Sequence, residues 1–341
     1  MKAVLIDRNG GPEVVNWKTV QTPEPGPDQV LVRIKAASMN HLDLWVRAGF
    51  PGLRLPIILG SDGAGVIESL GSRVKKFSVG DKVVIQPLTF CGKCSHCLAG
   101  RENYCDKWGI LGENSNGTQC ELMAVDADHL YPLPSNLSFL EAAAFPLTAM
   151  TAFAMLVNRA NIKAHETVFV WGAGSGVGSM AIQIAKAKGC LVIAAAGNLK
   201  KINLGKKLGA DLVLNYHDPG LVDSVLDFTE GKGVNAVIEH VGQKTWDKSL
   251  KILGLGGRLV TCGATTGPKV NLDLRHLFYK QQSIMGSTMG NVAAFESCLD
   301  LVRQEKIKPV VDRKFKMSEI QTAHAYLGGS RQAGKVLLLP E

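Results

Sequence analysis

The sequence predicts an α/β chain in two parts. A mostly β domain is built from both chain ends, and between them lies a domain with a doubly wound parallel sheet. Three observations carry this reading. At 341 residues the chain is too long for one small core, so two domains are expected. From about residue 165 onward, continuous apolar runs alternate with amphipathic segments, the pattern of strands buried on both faces between helices. Before that point, and again near the C-terminus, short strand-like runs are separated by Gly/Pro turns. The expected division is 1–146 with 289–341 for the β domain and 147–288 for the α/β domain.

The elements follow in order. Met1-Lys-Ala-Val-Leu-Ile-Asp-Arg has one short apolar run and then charge, so it reads as a first strand and not as a secretory signal. Pro23-Glu-Pro-Gly-Pro marks a turn before the strand Val30-Leu-Val-Arg-Ile-Lys-Ala, and Gly80-Asp81 marks another before Lys82-Val-Val-Ile. Ala142 to Val157 is apolar but interrupted by Pro146, Thr148 and Thr151, so a buried helix is expected and not a membrane span. Thr167-Val-Phe-Val-Trp is a buried strand, Met180-Ala-Ile-Gln-Ile-Ala-Lys-Ala-Lys-Gly a helix ending at Gly189, and Leu191-Val-Ile-Ala-Ala-Ala a second strand. Asp211-Leu-Val-Leu-Asn, Ala236-Val-Ile-Glu and Gly257-Arg-Leu-Val-Thr-Cys continue the alternation. Lys335-Val-Leu-Leu-Leu returns to a strand that rejoins the first domain.

Composition narrows the function classes. Hydrophobic residues at 46% and charged residues at 20% describe an ordinary folded chain, which excludes a disordered tail or linker protein. The net charge of +8 permits a polyanionic partner, yet basic and acidic residues are interspersed. A phosphate-bearing small molecule accounts for the sign as well as nucleic acid does. Eight cysteines without an export signal point to reduced thiols and a cytoplasmic protein.

Four of those cysteines form Cys91-x2-Cys94-x2-Cys97-x7-Cys105, within a lobe at about 88–108. Two-residue gaps let consecutive thiolates face one centre, and the fourth closes a tetrahedron around zinc. Four protein ligands leave no open position, so the expected site is structural. Iron–sulfur runs have a shorter last gap and a following proline, whereas Asp106 follows Cys105. His96 lies inside the lobe and reads as a solvent-facing residue. Lys93 and Lys107 can offset the charge of the thiolates.

Gly172-Ala-Gly174-Ser175-Gly176-Val177-Gly178 follows a strand and opens a helix. Strict Gly-x-Gly-x-x-Gly is not matched, but the context is that of a pyrophosphate site: bare backbone beside a helix N-terminus whose free N–H groups favour anions. Dinucleotide sites that take NAD place an acid at the end of the second strand. Here no Asp or Glu occurs from Cys190 to Ala210, and Lys200 and Lys201 follow the strand instead. NADPH is therefore expected over NADH, with Lys201 and in second place Lys200 pairing the 2′-phosphate. Gly263, after a later strand, and Ser287 complete the candidate cofactor set with Gly174, Ser175, Gly176, Val177 and Gly178.

The cysteine lobe, Leu59-Gly60-Ser61-Asp62-Gly63-x-Gly65 and Val79-Gly80-Asp81-Lys82-Val83 together resemble the zinc-containing medium-chain dehydrogenase/reductase family over nearly the whole chain. The resemblance implies a GroES-like catalytic domain and a Rossmann cofactor domain. The glycine loop is most similar to that of zeta-crystallin-like quinone oxidoreductases, which implies that Lys201 and Tyr216 contact the adenosine phosphate. In members that oxidise alcohols, a catalytic zinc is held by a Cys, a His and a second Cys. Those positions fall on Asn40, Ser61 and Leu147, none of which binds zinc, although His41 and Asp62 remain nearby.

The run Asn40-His41-Leu42-Asp43, with Arg47 and Gly49 after it, is similar to that of quinone oxidoreductases and enoyl reductases. It makes Asn40, His41 and Asp43 the catalytic candidates: Asn40 as hydrogen-bond donor or ribose contact, His41 as ribose contact or proton relay, and Asp43 as an anchor of the segment. Mitochondrial enoyl thioester reductases carry a tyrosine proton donor as Gly-x-Tyr, where this chain reads Gly49-Phe50-Pro51. The resemblance thus implies an NADPH-dependent reductase of an activated C=C bond, with an acryloyl-CoA-like enoyl-CoA or a quinone or enone as substrate. It further implies a small-molecule substrate, no nucleic acid or membrane partner, and a homodimer or homotetramer. An alcohol or aldehyde dehydrogenase, and a non-catalytic NADPH- or RNA-binding protein, are the alternatives.

Overall fold

The glycine- and proline-punctuated strands resolve into two units in a computed structural model that describes residues 1–50 and 52–341. Pro51, the end of the Gly49-Phe50-Pro51 run, lies outside the described residues. One unit comprises residues 1–147, 291–295 and 309–341, and the other comprises 148–290 and 296–308. The segment 296–308 goes with the second unit, and its Cys298, Leu299 and Val302 are buried. Its end is held there by Gln183, whose Nε2 donates to the Lys308 carbonyl and whose Oε1 accepts the Lys308 N–H.

In the first unit the centre is the long strand Gln29–Met39. It pairs antiparallel with Asp62–Leu70 on one side and with Leu122–Asp126 and Lys335–Leu339 on the other. Register shifts between Leu31 and Val32 and between Ile34 and Ala36 bend it, so one strand can serve several partners. Val30, Val32, Ile34, Ile67, Val83, Ile85, Val336 and Leu338 supply much of its core. Each fully buried side chain of this size contributes about 1.5–3 kcal/mol. The C-terminal strand is thus part of the N-terminal unit's sheet.

The second unit holds six parallel strands: β1 (Thr167–Val170), β2 (Leu191–Ala196), β3 (Leu212–Asn215), β4 (Val234–Glu239), β5 (Leu253–Thr261) and β6 (Ser283–Gly286). Their order is β3-β2-β1-β4-β5-β6. That is the dinucleotide-binding arrangement, in which the chain reverses direction across the sheet between β1 and β4. The buried faces of β1 and β2 explain their uninterrupted apolar runs. Helix α1 (Gly176–Ala187) follows the glycine loop.

The apolar stretch from Ala142 is two helices and not one. Phe139–Ala142 ends before Pro146–Phe153, and Ala154–Arg159 continues in π form. Proline lacks an N–H and is accommodated at a helix start, so Pro146 restarts the chain there. Most of the stretch is buried, as expected. No helix among the described residues is long and apolar enough to cross a membrane.

Candidate active site and cofactor site

Strand register assembles the first site. Ser38 pairs with Asp62 and Met39 with Val336, so the ends of three strands bring Asn40, Asp62 and Lys335 to one place. Asp62 and Lys335 are buried, and the Lys335 ammonium donates to Asp62 Oδ2 at 2.9 Å. It also donates to Asn40 Oδ1. The same Asp62 oxygen accepts from Asn40 Nδ2 at 2.9 Å and from Ser38 Oγ at 3.2 Å, and Oδ1 accepts the Leu147 N–H at 2.7 Å. Both carboxylate oxygens are therefore committed to protein donors, one of them a cation. Ser61 is buried beside this group.

Asn40 begins the helix His41–Ala48, and its N–H donates to Asp43 Oδ2 at 2.6 Å. Asp43 Oδ1 accepts from the Gly60 N–H at 3.0 Å and from Gln119 Nε2 at 3.2 Å. Burial raises the Asp43 carboxyl to about 6, against the pull of these N–H groups and of the Lys335 charge. Asp43 thus ties the Asn40 segment to the Gly60 loop. His41 is half-buried with its ring edge-on to Trp45 at 5.1 Å. Of the predicted trio, Asn40 and Asp43 meet in one network. Lys335 and Ser38 were missed by sequence reasoning; the one available signal was a lysine heading an otherwise apolar strand.

The cysteine lobe is local. Cys91, Cys94, Cys97 and Cys105 place their sulfurs within 4.8 Å of one another, with Cys94 and Cys97 3.5 Å apart and Cys91 and Cys97 4.0 Å apart. Zinc–sulfur bonds of about 2.3 Å in a tetrahedron put sulfurs about 3.8 Å apart, which this set brackets. The Cys91 and Lys107 N–H groups donate to Cys105 Sγ. Backbone N–H groups of Lys93 and Cys94 pull the Cys91 thiol down to about 6, whereas burial pushes Cys97 up to about 12, so the four sulfurs do not ionise alike. His96 is not among the four clustered residues; its ring lies 6.1 Å from that of Tyr104.

In the second unit the cofactor candidates collect at the carboxyl ends of the parallel strands, where such sheets bind ligands. Ser175 caps α1, its Oγ accepting the Gly178 N–H at 2.8 Å. Gly172 has φ of 63°, and a Cβ on Gly178 would meet the Gly172 carbonyl oxygen at 2.1 Å, so neither position tolerates a side chain. The Lys201 chain lies over Gly174, where a Cβ would meet its Cγ at 2.7 Å. The Tyr216 hydroxyl lies over Gly197, 2.2 Å from where a Cβ would stand. Lys201 and Tyr216 are thereby both brought to the end of β2 and the glycine loop. Gly263 follows β5 and Ser287 follows β6, with the Ser287 N–H donating to the Thr261 carbonyl at 2.9 Å. His240, at the end of β4, donates from Nε2 to the Trp171 carbonyl at 2.9 Å, a neighbour the sequence did not flag.

Residues 176–304 match the zinc-binding dehydrogenase family, and residues 26–135 match the alcohol dehydrogenase GroES-like domain. A quinone oxidoreductase of Pseudomonas aeruginosa is similar, 31% identical over 99% of each chain. An acryloyl-coenzyme A reductase of Metallosphaera sedula is 32% identical, also over 99% of each chain. Among crystal structures, an NAD-dependent alcohol dehydrogenase is similar with a TM-score of 0.97 and 43% identity over 99% of each chain.

Proposed function

The chain belongs to the medium-chain dehydrogenase/reductase family and is an NAD(P)-dependent oxidoreductase, and we propose that it reduces an activated carbon–carbon double bond with NADPH and without a catalytic metal. The preferred substrate class is an acryloyl-CoA-like enoyl-CoA, or a quinone or enone. One observation carries the reading: at the positions of the three zinc ligands stand Asn40, Ser61 and Leu147, and the adjacent carboxylate, Asp62, is already engaged by Lys335. A carboxylate saturated by an ammonium, a hydroxyl, an amide and a backbone N–H has no lone pair suited to a metal.

Bound NADPH would supply the hydride to the electrophilic β-carbon of the substrate. The chain's own task is to meet the charge that develops on the conjugated oxygen, for which hydrogen-bond donors suffice. Asn40 is the donor we assign, Asp43 fixes the backbone beneath it, and His41 is a ribose contact or proton relay. Gly174, Ser175, Gly176, Val177 and Gly178 would hold the pyrophosphate at the start of α1, with Gly263 and Ser287 along the same strand ends. Lys201 and Tyr216 would take the 2′-phosphate; their packing against Gly174 and Gly197 supports this. Cys91, Cys94, Cys97 and Cys105 would hold one structural zinc.

Self-association as a homodimer or homotetramer is supported by the open edge of β6 and by exposed Leu255, Leu274, Phe278 and Tyr279 near it.

The test is NADPH oxidation against acryloyl-CoA, crotonyl-CoA, a quinone, an enone and an aldehyde. Turnover of an activated alkene or quinone with one zinc per chain is expected. Two tightly bound zincs, with aldehyde alone turned over, would sink the reading. The 43% identical NAD-dependent alcohol dehydrogenase favours a second reading, reversible aldehyde reduction, which that outcome would install.

A further inference from the structure

We propose that Lys335 is a positioning residue for the reaction, clamping the Asn40 amide with Asp62 so that one Nδ2–H is held ready for the substrate oxygen. This rests on the reading of Asn40 as the donor and adds what orients it. The orientation follows from donor and acceptor chemistry. An ammonium only donates, so the amide oxygen must face Lys335; a carboxylate oxygen only accepts, so the amide nitrogen must face Asp62. With both ends fixed the side chain cannot flip. One Nδ2–H is used by Asp62, and among the described residues nothing accepts the second.

The backbone is held separately. Asp43 grips the Asn40 N–H, and Asp62 is itself tied by Ser38 and the Leu147 N–H. The amide therefore stands on two independent supports, the arrangement that preorganised donors need. The ammonium on the amide oxygen also polarises the amide and strengthens its N–H as a donor.

A stability role alone does not explain the pair. The Lys335 side chain is 5% exposed and Asp62 fully buried. Buried ion pairs of this kind are commonly matched or bettered in stability by packed hydrophobes, so burial of the pair is weak evidence of a stabilising role. The pair is also neutral as a unit. It supplies a cation beside Asn40 whose charge is met by the Asp62 carboxylate.

The test uses full-length protein with NADPH and the best acceptor of the panel. Variants are Asn40→Ala, Lys335→Met, Lys335→Arg and the double variant Asp62→Asn with Lys335→Met, each followed by kcat, KM and Tm. Lys335→Met is expected to lower kcat about 100-fold with KM changed less than about threefold, the pattern of a lost transition-state contact. It also strands the Asp62 charge, so Tm falls. The double variant removes both charges and is expected to regain Tm but not kcat, while Lys335→Arg recovers part of kcat. Return of kcat together with Tm in the double variant would overturn the proposal, as would unchanged kcat in Lys335→Met. The underlying reading fails separately: unchanged kcat in Asn40→Ala removes Asn40 as donor, whereas a slow Asn40→Ala beside a normal Lys335→Met sinks only the clamp.

Discussion

Two clusters in the same unit solve the problem of gathering polar groups in opposite ways. The four cysteines come from one short stretch, two half-buried and two buried, and converge because tight turns bring neighbours in sequence together. Asn40, Asp62 and Lys335 are buried and meet at the ends of three strands, with Lys335 and Asn40 separated by 295 positions. The first cluster presents four soft donors of one kind, an arrangement that only a cation completes. In the second a cation is built in: the Lys335 ammonium donates to both Asp62 and Asn40. The cluster that looks most like a metal centre thus shares no residue with the proposed chemistry, and the one proposed to act needs no metal.

The comparison can be broken at either end. The largest expected effect is at the assembled cluster: Asn40→Ala should lower kcat by about 100- to 1000-fold with zinc content unchanged at one per chain. A normal kcat would return the site to structure alone. At the local cluster, Cys97→Ser should abolish stoichiometric zinc and lower Tm by roughly 10 °C, because binding energy at such sites is folding energy. Metal analysis and thermal melts check this; zinc retained at full stoichiometry would show that three thiolates suffice.

A smaller effect sharpens the cofactor side. Lys201→Ala should reduce the NADPH over NADH preference by about 10-fold or more, the worth of a charge-assisted hydrogen bond. An unchanged ratio of kcat/KM values would remove Lys201 from the 2′-phosphate.

The last effect is on stability and not on turnover, and concerns the far end of the helix that starts at Asn40. There Arg47 donates to Nδ1 of buried His324 at 3.2 Å. Burial first, and the Arg47 charge second, lower His324 from 6.5 to about 3. Above pH 6.5 the imidazole is neutral in both folded and unfolded chains. As pH falls from there towards 3, the unfolded chain takes a proton that the folded one refuses, so stability is lost by about tenfold in the folding equilibrium per pH unit. His324→Gln should flatten that slope in denaturant melts between pH 4 and 6.5. An equally steep slope in the variant would place the acid sensitivity elsewhere.

Much of the molecule was readable from residues alone. Apolar runs of β1 and β2, the glycine loop before α1 and the cysteine spacing each report on contacts within a few positions of themselves. Their physics is local, so the linear order contains it. The split of the apolar stretch at Pro146 was not foreseen although the proline stood in it, and the π turn after it depends on packing.

What the sequence determined by itself is therefore the family, the fold class, the thiolate set and the absence of zinc-binding side chains at positions 40, 61 and 147. What only the tertiary structure decided is what stands near them. Lys335 reads as a lysine heading an apolar strand, and that contrast says nothing of which groups it meets. Its meaning comes from antiparallel register, which sets it beside Asn40, and from burial, which obliges its charge to find Asp62. Register is fixed by which faces of distant strands must be dry, and that is a property of the whole sheet.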